Sequence, residues 1–135
     1  MASCQPAPEP NPQPMPDPND STATDPPTFQ YLALGDSYTI GERVAVNERW
    51  PVQLADSLRA RGLDVPEPYI IARTGWSTDQ LISAIEAEAL ADTFDMVSLL
   101  IGVNNQFRRI PIETYPVEFT QLLNTAIDFA QGNRD

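Results

Sequence analysis

The sequence predicts an α/β domain: a parallel β-sheet with helices on both faces. Three observations predict it. From residue 29 onward, short apolar runs alternate with segments of helical spacing, the pattern of consecutive βαβ units. The third run, FDMVSLLIG over 94–102, is nearly all apolar, as a strand is when both its faces are covered. Each run ends in a polar loop that carries a glycine or lies close to one, and in open parallel sheets ligands bind outside the carboxyl ends of the strands.

The elements follow in order. Residues 1–28 hold nine of the fourteen prolines, seven of them at alternate positions from Pro6 to Pro18, with four acids and no basic residue. Such a composition cannot bury enough apolar surface to offset chain entropy, so this segment reads as a disordered, extended spacer of polyproline II character. FQYLAL (29–34) is a short aromatic and aliphatic run and predicts a buried strand. RWPVQLADSLRARG (49–62) predicts a helix: Pro51 suits a first turn, Trp50, Leu54 and Leu58 recur every four residues, and Gly62 can end it. PYIIA (68–72) is the second strand. Ser77 with Gln80 forms a capping box for a helix running to about Leu90. After the third strand, Phe119, Leu122, Leu123, Ala126 and Ala130 mark a last helix over 114–131, with Pro116 near its start and Gly132 near its end. Sheets commonly have roughly four to six strands, and the last helix should feed a fourth. The expectation is that residues 29–135 are the N-terminal part of a larger domain, cut after the third strand and its helix.

Charge and cysteine content narrow the function classes. Residues 29–135 carry 15 acids against 8 arginines, and the chain has no lysine and no histidine. An acidic surface is a poor partner for nucleic acid or a bare anionic membrane and points weakly to an uncharged substrate. Cys4 is the only cysteine, so no intramolecular disulfide forms and a structural zinc site is not credible. No 18-residue apolar run is present, which excludes a membrane-spanning helix. MASC followed by a Pro-rich tract resembles the end of a bacterial lipoprotein signal, in which small residues precede a cysteine that becomes lipidated. That resemblance implies a membrane tether at Cys4 and a cell-envelope or extracellular location, although the upstream apolar segment of such a signal is not in this sequence.

The three loops carry groups suited to acyl transfer. Gly35-Asp36-Ser37 offers a hydroxyl that can attack a carbonyl. Thr74-Gly75-Trp76 offers a backbone N–H unobstructed by a side chain. Gly102-Val103-Asn104-Asn105 offers a carboxamide that can donate to the same oxygen. Read together, ALGDSYTIGE, ARTGWST and LLIGVNNQ resemble the first three sequence blocks of the SGNH (GDSL-type) hydrolases, serine esterases and lipases with a three-layer α/β/α sandwich of flavodoxin-like type. The resemblance spans residues 29 to about 131. It implies Ser37 as nucleophile and an oxyanion hole made by the N–H groups of Ser37 and Gly75 and the side chain of Asn104. It also implies no metal and no organic cofactor.

Two departures stand out. The third block of the family usually reads Gly-x-Asn-Asp, and here Asn105 replaces the aspartate, which should alter loop support rather than charge stabilisation. The Asp-x-x-His block, source of the general base and the acid that orients it, is absent from the 135 residues. The intact protein is therefore expected to hydrolyse a carboxylic ester, whether a lysophospholipid, an aryl or short acyl ester or an acetylated sugar, while this chain alone is expected to be inactive. The alternative is a non-catalytic surface module that binds a carbohydrate or acyl group.

The remaining polar residues read more plainly. Asp36 is expected to stabilise a turn rather than replace the missing base, Asn105 to be a turn residue with left-handed dihedrals, and Trp76 either to pack or to line an acyl pocket. Arg108 and Arg109 are expected to be solvated charge. Other motif classes fail: there is no Gly-x-Gly-x-x-Gly, no lysine for a phosphate-binding loop, and Thr39 stands where an α/β-hydrolase elbow needs glycine.

Overall fold

The computed structural model describes residues 27–131. Nearly all of the Pro-rich spacer, Cys4 included, lies outside the described residues, as does Gly132. Three strands and five helices follow one another: β1 (Tyr31–Gly35), α1 (Ser37–Ile40), α2 (Trp50–Arg59), β2 (Tyr69–Ala72), α3 (Thr78–Glu88), β3 (Met96–Leu100), α4 (Val103–Phe107) and α5 (Tyr115–Phe129), with one 3-10 turn over Val46–Glu48. Every strand and long helix expected from the sequence is present, with ends trimmed by a few residues. The short helices α1 and α4 were not expected. Both lie directly after a strand, where four or five residues are too few to show a helical period.

The sheet is parallel, in the order β2-β1-β3. Register partners in such a sheet share a face. Leu32 and Leu34 of β1, Ile71 of β2, and Val97 and Leu99 of β3 thus point the same way. They meet Leu81 and Ile85 of α3 and Leu122 and Ala126 of α5 in the main core. Phe94 closes its lower end, edge-on to Phe129 at 6.1 Å between ring centroids. Leu32, Leu34 and Leu81 are fully buried, and each contributes about 1.5–3 kcal/mol of transfer free energy.

Tyr31 and Ala33 point to the opposite face and are also buried. Crossovers between parallel strands are right-handed. The step from β1 out to β2 and the step back past β1 to β3 therefore place α2 and α3 on opposite faces. Val52 and Ala55 of α2 are buried accordingly. Arg59 holds the end of α2 to the next loop, donating through Nε to the Val65 carbonyl at 2.5 Å and pairing with Glu67 at 3.2 Å.

The fold is thus α/β, helices on both faces of a parallel sheet. Its consequence for function is geometric. Since β1 is central, with β2 and β3 on its two sides, the loops after all three strands emerge along one rim.

Candidate active site

Gly35 ends β1 because nothing larger fits. A Cβ there would lie within the Thr39 hydroxyl and 2.8 Å from the Leu100 carbonyl oxygen. Asp36 then caps α1: one carboxylate oxygen accepts the Tyr38 N–H at 3.0 Å, and its carbonyl receives the N–H of Ile40 at 2.9 Å. Asp36 is fully buried, and its second carboxylate oxygen has no partner among the described residues. Burial pushes this carboxyl above the usual aspartate range, against the weaker pull of its backbone hydrogen bonds. The expected turn-stabilising role of Asp36 is what its bond to Tyr38 provides.

Ser37 is the first residue of α1 and is half-buried. It lines an open cleft of about 390 Å³ with Tyr38, Glu42, Val103, Asn104 and Phe107. Two of the three sequence-predicted residues, Ser37 and Asn104, therefore share one cavity, brought there by the neighbouring strands β1 and β3. Phe107 is 84% exposed and Tyr38 62%, so the cleft has an apolar rim. Glu42 is its single charged lining residue.

Gly75 does not line that cleft but is joined to it through its neighbour. The Asn104 side chain donates from Nδ2 to the Trp76 carbonyl at 2.9 Å. The Gly75 turn has φ +84°, a left-handed conformation that glycine adopts without penalty, and it closes with the Trp76 N–H on the Arg73 carbonyl at 3.3 Å. No acceptor among the described residues takes the N–H of Ser37 or of Gly75. Trp76 itself packs, partly buried, against the main core.

Downstream of Trp76 the capping box forms as expected. The Ser77 N–H donates to Gln80 Oε1 at 3.2 Å, and the Ser77 hydroxyl bonds to the side chains of Gln80 and Asp79. Arg108 is exposed, as expected of solvated charge, and its guanidinium also donates to Ser77 Oγ at 3.2 Å and Gln80 Oε1 at 2.9 Å, bracing the start of α3. Neither Arg108 nor Arg109 lines the Ser37 cleft.

Asn105 departs from its expected role. It is not a left-handed turn residue but sits within α4, 5% exposed. Its Oδ1 accepts the Thr78 N–H at 3.1 Å and its Nδ2 donates to the Thr78 hydroxyl at 2.7 Å. Its tie to Thr78 is invisible in sequence because the two are 27 residues apart. The only hint was the tandem Asn104-Asn105 after an apolar strand.

A second cleft, about 550 Å³ and mostly apolar, opens beside the first and shares Val103 with it; Ile110, Ile112 and Tyr115 form part of its wall.

Comparison with known proteins places this geometry in context. Among curated proteins, none matches the chain. Among solved structures, the chain is similar to AlinE4, an SGNH-hydrolase family esterase, at 19% identity and a TM-score of 0.66, covering 76% of this chain and 55% of that one. TesA is 16% identical with a TM-score of 0.66, covering 77% and 56%. The psychrotrophic esterase EstA from Pseudoalteromonas sp., in a structure inhibited by monoethylphosphonate, is 19% identical with a TM-score of 0.64, covering 76% and 55%. At these identities the likeness establishes the fold, and the chain spans little more than half the length of the structures it matches. The sequence comparison is more specific: residues 33–134, all but the first few residues of the described body, match the model of one family from the middle of β1 onward. On that match the chain belongs to the GDSL-like lipase/acylhydrolase family.

Proposed function

We propose that the chain supplies the nucleophile and the oxyanion-binding loops of a serine ester hydrolase. The observation that carries this reading is the shared cleft of Ser37 and Asn104, with Asn104 bonded to the residue that follows Gly75. In the reaction, Ser37 Oγ attacks the ester carbonyl carbon, its proton passes to a base, and the tetrahedral oxyanion is held by the N–H groups of Ser37 and Gly75 and by Asn104 Nδ2. A carboxamide nitrogen carries two hydrogens. One holds the Trp76 carbonyl, and the other remains for the oxyanion. Collapse expels the alcohol and leaves an acyl-enzyme, which water then cleaves.

The lining favours a neutral ester with an apolar acyl or aryl part. Tyr38, Val103 and Phe107 offer apolar contact, and the Glu42 carboxylate disfavours an anion close to Ser37. Acyl and aryl esters fit this wall better than an acetylated sugar does, and a lysophospholipid fits it only with its phosphate held away from Glu42. No histidine is present in the 135 residues. An unassisted serine is a poor nucleophile at pH 7, and general-base assistance is typically worth about 10²- to 10⁴-fold. The base in this proposal comes from polypeptide beyond Asp135, and residues 1–135 alone turn over slowly. An envelope or extracellular site of action, with or without a tether at Cys4, accompanies the proposal.

The test is to read the coding sequence past Asp135, express the whole product, and assay p-nitrophenyl esters with and without Ser37→Ala. An Asp-x-x-His downstream and loss of at least about 10³-fold in kcat/KM for the alanine variant are expected. Full activity in the alanine variant overturns the proposal. The absence of histidine also favours a second reading, that of an acyl- or carbohydrate-binding module. Rapid labelling of Ser37 in the whole product by a fluorophosphonate would argue against it.

A further inference from the structure

The polarity of the Asn105–Thr78–Glu118 contacts can be worked out from one backbone group. The Thr78 N–H can only donate, so the Asn105 atom 3.1 Å away must be the carboxamide oxygen. That orientation turns Nδ2 toward the Thr78 hydroxyl at 2.7 Å, where it donates. The hydroxyl has one hydrogen, and having accepted from Asn105 it gives that hydrogen to Glu118 Oε2. The result is a one-way chain from the amide on α4, through the first residue of α3, to a carboxylate on the first turns of α5. Asn105 and Thr78 are buried, where an unmatched polar atom is costly. Immediately before Asn105, Asn104 bonds the Trp76 carbonyl. Two consecutive asparagines of α4 therefore grip residues 76 and 78.

We propose that Asn105 is a positioning residue that fixes Asn104 against the Gly75–Trp76 turn, and that its identity is dictated by Glu118. A carboxylate at position 105 requires the Thr78 hydrogen for itself. Glu118 would then face an oxygen with no hydrogen between them, and two carboxylates would lie on one hydroxyl. The arrangement tolerates an aspartate at 105 only when residue 118 becomes a donor. With glutamine at 118 the whole chain runs backwards: the new amide on α5 donates to the Thr78 hydroxyl, and that hydroxyl donates to the new carboxylate on α4. The link to Asn104 rests on the proposed oxyanion role, but the polarity rule does not.

The experiment compares thermal unfolding of the longer gene product as wild type, Asn105→Asp, Glu118→Gln and the double variant, at pH 7 and pH 4.5. Asn105→Asp is expected to lower Tm by about 5–10 °C at pH 7. Repulsion raises a carboxyl pKa of the folded single variant above its unfolded value. The native state then binds the extra proton, and the deficit shrinks as pH falls through that pKa. Glu118→Gln alone costs little, since its carbonyl oxygen still accepts. The double variant regains most of the loss and shows no such pH dependence. If Asn105→Asp does not fold, recovery of folding in the double variant carries the same meaning. A double variant no more stable than Asn105→Asp, or an Asn105→Asp variant as stable as wild type at pH 7, overturns the proposal. Ester turnover by the same proteins tests the positioning role: Asn105→Asp should lower kcat with KM little changed and the double variant should restore it, and an unchanged kcat in Asn105→Asp overturns that role. Its failure would leave the stability result standing.

Discussion

The Asn104 side chain donates to the Trp76 carbonyl at 2.9 Å, across 28 residues of sequence. This bond ties the loop after β3 to the loop after β2, the outer strands among the described residues, across the end of the central strand that leads to Ser37. A rim of separate loops is held as one surface by it. The same carboxamide is the proposed side-chain donor to the oxyanion, so its orientation is set before any substrate arrives, which is the condition for electrostatic preorganisation.

Replacing Asn104 separates the two roles. Asn104→Ala removes a partly buried hydrogen bond and is expected to cost about 1 kcal/mol of stability. In the longer gene product it should lower kcat by about 10²- to 10³-fold. Asn104→Asp sets an oxygen against the Trp76 carbonyl oxygen and is expected to destabilise more than alanine does. Denaturant titration of the three proteins, with kcat and KM measured alongside, checks both statements. A substitution that raises KM and spares kcat would place Asn104 in substrate binding instead.

Gly75 isolates the effect of backbone conformation. A Cβ at this position would meet no atom within 4 Å, so Gly75→Ala brings no clash. It does bring a side chain to φ +84°, at a cost of roughly 1–2 kcal/mol. A turn that relaxes to avoid this strain moves the Gly75 N–H away from the oxyanion. Expected are a modest loss of stability and a larger loss of kcat in the longer product. Equal, small losses in both would mean that the turn holds its shape and that the Gly75 N–H is not used.

The sequence carried the parallel α/β architecture because its signals are local. Period-four spacing in α2, the Ser77–Gln80 box and the unbroken apolar run of β3 each lie within one segment. Ser37, Gly75 and Asn104 were singled out only through the resemblance of three blocks, since a lone serine after a strand has many ordinary uses. What stayed hidden depends on pairs distant in sequence. Arg108 reaches Ser77 over 31 residues and Asn105 reaches Thr78 over 27, and nothing in an arginine or asparagine at a loop announces a partner. The short helices α1 and α4 escaped for a different reason, being set by the cap at Asp36 and the turn at Gly102 rather than by periodicity.

Asp36 should leave a signature in the pH dependence of stability. Burial raises its folded pKa above the unfolded value near 3.8, so in the window above that value the native state holds a proton that the unfolded chain releases. Stability contributed in this way is full below the unfolded pKa and is lost as pH rises through the folded one. Asp36→Asn keeps an oxygen to accept the Tyr38 N–H and removes the titration. Its Tm is expected to vary less with pH above about 4 than that of wild type and to match or exceed it at pH 7. A variant that follows the wild-type profile point for point would show that Asp36 ionises without penalty.

The β3 edge should govern how residues 29–135 behave when expressed alone. Among the described residues β3 pairs only with β1, and its sequence MVSLL offers neither charge nor proline. Natural edge strands are blunted by such residues because an unpaired apolar edge recruits other chains. Leu100 is 42% exposed and Met96 half-buried, both on the face away from the main core. The segment is therefore expected to associate or to unfold without a sharp transition. Met96→Lys places a charge on the edge at the end of β3 remote from Ser37, and it should reduce light scattering at equal concentration. A monodisperse monomer with a steep cooperative transition before any substitution would mean that the edge is already protected.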